Sequence, residues 1–399
     1  MTSATAAPGS PRPRSARGPL GRVGDVLLVP VLALVSALVL GGIVIVFSDP
    51  DALHDWGRFF SDPAGALSSS WHAANDAYRA LWSSSLGSTA ALSRTLAETT
   101  PLLFAGLSVA LAFRAGLFNI GAAGQLMVGA TVAAYVGFHW DLPRAVHLPA
   151  ALVAGALGGA AWGGIAGLLK ARTGAHEVIT TIMLNYVALR LLDYALSTEA
   201  FRRPGRNDPI SPPMRESARL PTFDLGGLRV GLGLVLAVAA ALGVWWLLQR
   251  STVGFGLRAV GANPDAARYA GLPVGGAYLL AMALAGALAG LAGSTNLLGR
   301  SSYSLTGGYF QFIGFDAIAL ALLGRTHPIG VVGASLLFGV LRAGSTGMQS
   351  QTSTPVDIIV VIQALIIAFV AAPALVRAIY RIRTRDTGGT QRFTSGWGA

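Results

Sequence analysis

Few residues in this chain could do chemistry, and their spacing excludes most reactions. A phosphate-binding Walker loop ends in Gly-Lys-Ser/Thr, whose lysine reaches the terminal phosphates. Lys170 is the only lysine and Leu169 precedes it, so the chain has no such loop and cannot hydrolyse ATP by that route. His176-Glu177 opens like a zinc-protease helix, but Thr180 stands where the second histidine would be. Six scattered histidines and no cysteine give no metal-ligand spacing. Gly254-Phe255-Gly256 lacks the strand and the third glycine of a dinucleotide fingerprint. No nucleophile–base arrangement follows from spacing. The expectation is a protein with no catalytic residues, no metal and no cofactor of its own.

Two charged pairs fall at helical spacing inside apolar stretches: Arg94 with Glu98, and Arg190 with Asp193. Each pair can close on one helix face. A proton- or sodium-coupled carrier needs a series of carboxylates near the bilayer midplane. Here the acids sit beside arginines or, as with Asp316 and Asp357, near the ends of apolar runs. An ion-coupled secondary transporter therefore stands only as an alternative.

These residues are embedded in a chain of 399 amino acids that is 53% hydrophobic and 12% charged, with 51 glycines. Soluble domains carry roughly 25% charged residues, so the composition excludes an ordinary soluble enzyme and a disordered chain. The net charge of +11 does not indicate nucleic acid, because the excess lies in tails and loops between apolar runs, as at a membrane surface. The fold class is an all-α polytopic membrane protein of about ten transmembrane helices. The runs lie at 26–47, 96–113, 117–138, 148–169, 178–196, 230–248, 277–298, 313–324, 329–347 and 356–376. A crossing takes about 20 apolar residues.

Residues 1–25 read as a disordered basic cytoplasmic tail, 26–376 as the membrane domain and 377–399 as a second basic cytoplasmic tail. Positive residues favour the cytoplasm, which places both termini there. Residues 48–90, with Asp49, Asp51, Asp55, Asp62 and Asp76, read as an extracytoplasmic loop. The same count puts 197–229 outside despite six arginines, diluted by Glu199, Asp208, Glu216 and Asp224. Two helices are expected to be interrupted, near 117–125 and near 310–317. There Phe118-Asn119-Ile120-Gly121-Ala122-Ala123-Gly124-Gln125 and Phe312-Ile313-Gly314-Phe315-Asp316 bring polar residues and glycines into the bilayer. Unwound backbone survives there only against protein or a water-lined path. Gly155, Gly159, Gly163 and Gly167, four apart, form a smooth face for close helix packing.

Four stretches in order resemble the inner-membrane permease subunits of ATP-binding-cassette importers, in the group serving nucleosides, simple sugars and branched-chain amino acids. They are Leu117–Gln125, similar to an Asn-Ile-Gly-x-Glu-Gly-Gln motif; His176–Tyr186, closest to the nucleoside branch; Gly256–Gly271; and Gly314–Pro328 followed by Phe338-Gly339. The resemblance covers roughly 95–375. Ala123 departs from it, standing where the family usually has glutamate, as does His176, where asparagine is common.

The resemblance implies a bacterial plasma-membrane permease translocating nucleosides from an extracytoplasmic binding protein, with simple sugars or branched-chain amino acids as alternatives. It implies an ATPase subunit that uses the ATP, a second permease subunit, identical or homologous, and no nucleic acid. The loop 254–273 would couple to the ATPase through Arg258, Gly261, Asn263, Pro264, Ala266, Ala267 and Gly271. Independently, Asn263 at a cap and Pro264 at the first helical position start a helix soundly, and Gly271 suits its end. For the substrate pathway the candidates are Asn119, Gln125, Asn185 and Tyr186, since amides and a phenol both donate and accept hydrogen bonds. Hydrogen bonds between helices use the same residue types.

Overall fold

The computed structural model describes residues 19–299, 303–307, 311–352 and 354–381. Fifteen helices follow one another in these residues: α1 (Pro19–Ser48), α2 (Pro50–Trp56), α3 (Pro63–Leu86), α4 (Thr89–Arg114), α5 (Ala122–His139), α6 (Arg144–Thr173), α7 (Glu177–Ser197), α8 (Leu232–Arg250), α9 (Thr252–Ala262), α10 (Pro264–Tyr269), α11 (Val274–Gly299), α12 (Gln311–Leu323), α13 (Pro328–Thr352), α14 (Asp357–Ala371) and α15 (Pro373–Ile379). Each of the ten apolar runs overlaps a helix, although 117–121 and 230–231 are non-helical and 356–376 spans α14 and part of α15. Seven of the described helices are long and apolar enough to cross a membrane: the Pro30–Ser48 part of α1, and α4, α6, α7, α8, α11 and α13. Helix α5 has 18 residues and falls outside that set. The apolar parts of α12 and α14 are shorter still, Ile313–Leu323 and Asp357–Val370.

Helix α4 is the axis of the molecule. Every residue from Thr99 to Ala112 is buried, the condition of a helix apolar on all sides. Gly106 admits Val331 of α13 and Leu320 of α12 against its backbone. The four-residue glycine stripe of α6 does what its spacing demands. Gly155 meets Ser294, Gly159 meets Gly286 and Gly290, Gly163 meets Met282, and Gly167 meets Leu279, all on α11. The seam places α6 and α11 backbone to backbone.

Two faces of the bundle follow from contacts between helix ends. On one, the Arg114 Nε donates to the Thr326 carbonyl oxygen at 3.0 Å and Gly261 lies on Gly116. On the other, residues 197–231 form a cap. Arg215 N–H donates to Gly137, Met214 N–H to Tyr303 and Leu220 N–H to Leu298. His147, buried at the start of α6, bonds the Ser217 hydroxyl at 2.7 Å through Nδ1. The cap also departs from an all-helical pattern, with an antiparallel hairpin of β1 (Thr222–Leu225) and β2 (Leu228–Gly231) and an isolated antiparallel bridge between Ile210 and Thr306. The hairpin turn uses Gly226 and Gly227 at φ 64° and 89°, the left-handed region a two-residue hairpin requires.

Residues 48–90, expected as a loop, are helical for most of their length. Asp49 and Asp62 accept hydrogen bonds from Ala52 N–H and Gly65 N–H, so two of the five acids that suggested an outer loop are helix caps. Helix α3 packs on α1 through Tyr78, whose hydroxyl donates to the Leu38 carbonyl, and on α13, where Leu81 fills the space over Gly344. The expected interruption at 310–317 also takes another form. Residues 311–317 are continuous helix, while 310 lies outside the described residues. What is unusual is length: 13 residues rise about 20 Å at 1.5 Å each, short of a hydrocarbon core of about 30 Å. Of the two tails, 1–18 and 382–399 lie outside the described residues, and 19–25 and 377–379 are helical.

Candidate functional site

The break at 115–121 separates α4 from α5, and three of the four pathway candidates converge on it. Asn119 is fully buried. Its side-chain amide and that of Gln125 bond each other twice, Asn119 Nδ2 donating to Gln125 Oε1 at 3.0 Å and Gln125 Nε2 to Asn119 Oδ1 at 3.1 Å. Asn119 Oδ1 also accepts Gly121 N–H at 3.0 Å. From α7, Asn185 Oδ1 accepts Gly124 N–H at 2.8 Å and its Nδ2 donates to the Ile120 carbonyl at 2.9 Å. Gly124 N–H opens a helix, where the first four N–H groups lack internal partners. Asn119 and Asn185 therefore supply bonds that unwound backbone away from water needs, and Gln125 holds the Asn119 side chain in place. Their polar atoms are committed to the break.

Tyr186 lies apart from them. Asn185 is on the packed face of α7 with Thr181, Ala188 and Leu192, whereas Tyr186 is 64% exposed. Its face carries Ile179, Met183, Arg190 and Tyr194 at spacings of three and four, a single stripe. Arg190 and Asp193 form the ion pair their spacing allowed, at 3.3 Å, with side chains 81% and 46% exposed. Each charge at a helix centre costs about 2.5–3.5 kcal/mol on insertion scales. Arg94, the other arginine of the expected pairs, donates to the Ser84 carbonyl at 3.3 Å. A further pair, Arg342 with Asp316 at 2.7 Å, joins α13 to α12 with both side chains largely buried. Separation in sequence hid it.

The 254–273 segment is two short helices. Asn263 caps α10, its Oδ1 accepting Asp265 N–H and Ala266 N–H at 3.0 Å each, with Pro264 at the first helical position. Gly271 has φ 80° and ends the turn as a glycine does. Ala267 is buried against Val260 and Val274; Ala266 is exposed. The glycines ahead of Asn263 lie inside α9, where Gly254 lets the helix fold back onto Leu247 and Leu248 at the end of α8. Arg258 holds that corner by donating to the Leu248 carbonyl. Gly261 touches Arg114, Ala115 and Gly116 of the α4–α5 turn, backbone against backbone. Spacing could not reveal that contact, nor the exposure of Phe255 and of Tyr269, which is 94% exposed.

These features sit in a chain whose residues 91–371 match the family of branched-chain amino acid transport system permease components. The chain belongs to that family. Among curated relatives of this permease family, a guanosine ABC transporter permease protein of Bacillus subtilis (strain 168) is 38% identical over 88% of this chain and 95% of its own. A nucleoside ABC transporter permease protein of Lactococcus lactis is 32% identical over 88% and 93%. A glucose ABC transporter permease protein of Haloferax volcanii is 34% identical over 85% and 86%. No solved structure matches the chain. The departure at Ala123 has a steric counterpart: its Cβ abuts Gly314 of α12, so a longer side chain would push on that helix.

Proposed function

We propose that this permease-family chain is the membrane-spanning subunit of an ATP-binding-cassette importer and that its substrate is a nucleoside. One observation carries the architecture. The capped α9–α10 segment, with Phe255 and Tyr269 exposed, rests through Gly261 on Gly116, the residue that leads into the break. A partner pressing on α9–α10 therefore presses on the unwound segment and, through Asn185, on α7. The partner is the ATPase subunit, which binds and hydrolyses the ATP. The chain itself positions and gates, with no covalent step.

On this reading ten helices cross the bacterial plasma membrane: the seven long ones together with α5, α12 and α14. Both termini and α9–α10 are cytoplasmic. The 197–231 cap and α2–α3 face outward, where an extracytoplasmic binding protein delivers substrate, and a second permease, identical or homologous, completes the passage. The nucleoside assignment is supported by the guanosine and nucleoside permease relatives.

Uptake of labelled guanosine, uridine and ribose by cells with and without the gene tests the proposal, with the proton gradient collapsed while ATP is maintained. Gene-dependent nucleoside uptake that survives collapse is the expected result. Uptake that stops with the gradient would assign the chain to secondary carriers. Uptake of ribose alone would keep the importer and replace the substrate with a simple sugar, as the glucose permease relative suggests.

A further inference from the structure

Helix α3 has 24 residues, about 36 Å and so long enough to cross a membrane, yet it is not among the helices apolar enough to do so. Its surface has three faces. Ala66, Ala77, Leu81 and Ser84 are buried. Leu67, Trp71, Trp82 and Leu86 are exposed and apolar, at spacings of four, eleven and four that keep them on one side of a helix. Beside them Ser68, His72, Asp76, Arg79 and Ser83 form an exposed polar strip. Water disfavours the first exposed face, and hydrocarbon disfavours Asp76 and Arg79 on the second. A surface split lengthwise in this way suits a helix lying in a lipid–water boundary.

The neighbours of α3 put it at such a boundary. From Ala74 to Tyr78 it passes from Gly42 to Leu38 of α1, against the direction of that helix. From Leu81 to Ser84 it passes from Gly344 to Gly347 of α13, with the direction of that one. In the ten-helix topology α1 and α13 run the same way, so α3 lies across both. Gly42, Gly344 and Gly347 fall in the later, outer halves of the spans Pro30–Ser48 and Pro328–Thr352. Apolar exposure is also continuous along the chain. Span α1 exposes Val31, Val35, Val39, Ile43 and Phe47 at every fourth residue, and α2 begins three residues after Phe47. Leu53 and Trp56 on α2 are exposed, and Phe60, in the turn to α3, is 100% exposed. The Trp56 indole N–H donates to the Ser70 hydroxyl at 2.8 Å, which fixes α2 beside α3 next to Trp71.

We propose that α2 and α3 lie in the plane of the membrane at its outer boundary, with Phe60, Leu67, Trp71, Trp82 and Leu86 against lipid and Asp76 and Arg79 in water. Tryptophan suits this level because its ring is apolar and its N–H polar. The outer side and the crosswise course rest on the topology proposed above; the lipid contact rests on the faces of α3 and their continuity with α1.

The chain contains no cysteine, so Leu67→Cys, Trp71→Cys, His72→Cys, Asp76→Cys and, on α1, Val39→Cys each carry a single nitroxide label. The full complex is reconstituted in vesicles of phosphatidylethanolamine and phosphatidylglycerol. Relaxation of the label by oxygen, which concentrates in lipid, is compared with relaxation by a water-soluble nickel chelate. We expect the oxygen-to-nickel ratio at 67 and 71 to approach that at 39 and to exceed that at 72 and 76 several-fold. Equal ratios at the four α3 positions overturn the lipid contact. Low access of both reagents to 67 and 71, with immobilised spectra, also overturns it and gives the face to a protein partner. A second measurement needs no label: quenching of tryptophan fluorescence by brominated phospholipid should fall when Trp71→Phe and Trp82→Phe are combined, and unchanged quenching counts against the proposal. Sidedness is read separately, with a membrane-impermeant thiol reagent on Asp76→Cys in sealed spheroplasts. Labelling there is expected; labelling only in inverted vesicles would refute the topology and the outer placement while leaving the lipid contact standing.

Discussion

Replacing Asn185 tests whether the amides at the break hold backbone or handle substrate. Asn185→Ala removes the acceptor for Gly124 N–H and the donor to the Ile120 carbonyl. Each loss leaves a backbone group without a partner next to unwound chain. A buried polar group left unsatisfied costs about 1–3 kcal/mol, whereas hydrogen bonds between membrane helices average nearer 0.6 and reach about 1.7 kcal/mol. The membrane value is the better guide for each bond, because a loosened break can find other partners. The two losses together then come to about 1–3 kcal/mol. At about 2–4 °C per kcal/mol for domains of 150–250 residues, the midpoint of thermal unfolding in detergent should fall by several degrees. Asn185→Asp keeps the acceptor and loses the donor, so its fall should be smaller, apart from the cost of a part-buried charge, which raising acidity relieves. Uptake should decline in step with stability for both variants. An Asn185→Ala protein that melts like the original chain yet transports poorly would refute this reasoning and give the side chain to the substrate.

Other perturbations have outcomes as definite. Gly159→Ala sets a methyl group against the Gly290 Cα and N at 2.8 Å and should destabilise by about 1–3 kcal/mol, the range for overpacking. Gly243→Ala on α8, with nothing within 4 Å of the added carbon, should be neutral or stabilising by up to about 1 kcal/mol; thermal unfolding of both checks the seam. Asp316→Ala strands Arg342 and should cost about 3–5 kcal/mol, while the double change Asp316→Leu with Arg342→Met should recover most of it, read as the yield of monodisperse protein. Gly261→Val puts a branched side chain onto the Arg114–Gly116 backbone. In the assembled transporter it should leave basal ATP hydrolysis intact and abolish uptake; normal uptake would remove that contact from the coupling route.

Much of the scaffold was legible in the chain itself. Helices stand at all ten apolar runs, and the four-residue glycine repeat of α6 meets a partner as its spacing implied. Asn263-Pro264 starts α10 by local chemistry alone, since a cap depends on residues two and three positions away. The helices within 48–90 were not read because the stretch is polar along its length, and polarity does not distinguish a loop from a helix of alternating faces. Capping by Asp49 and Asp62 was written there.

The sequence by itself determined that this is a helical membrane protein without a Walker loop, that a break follows α4, and that Asn119, Gln125 and Asn185 are polar groups in an apolar setting. Tertiary structure alone decided what those amides bond, that Asn185 and Tyr186 occupy different faces of α7, and that Gly261 reaches Gly116. It also paired Asp316 with Arg342, 26 residues apart. The reason is physical: propensity, capping and periodicity act over a few residues, whereas a buried hydrogen bond or a backbone contact is set by which helices pass within a few ångströms of each other.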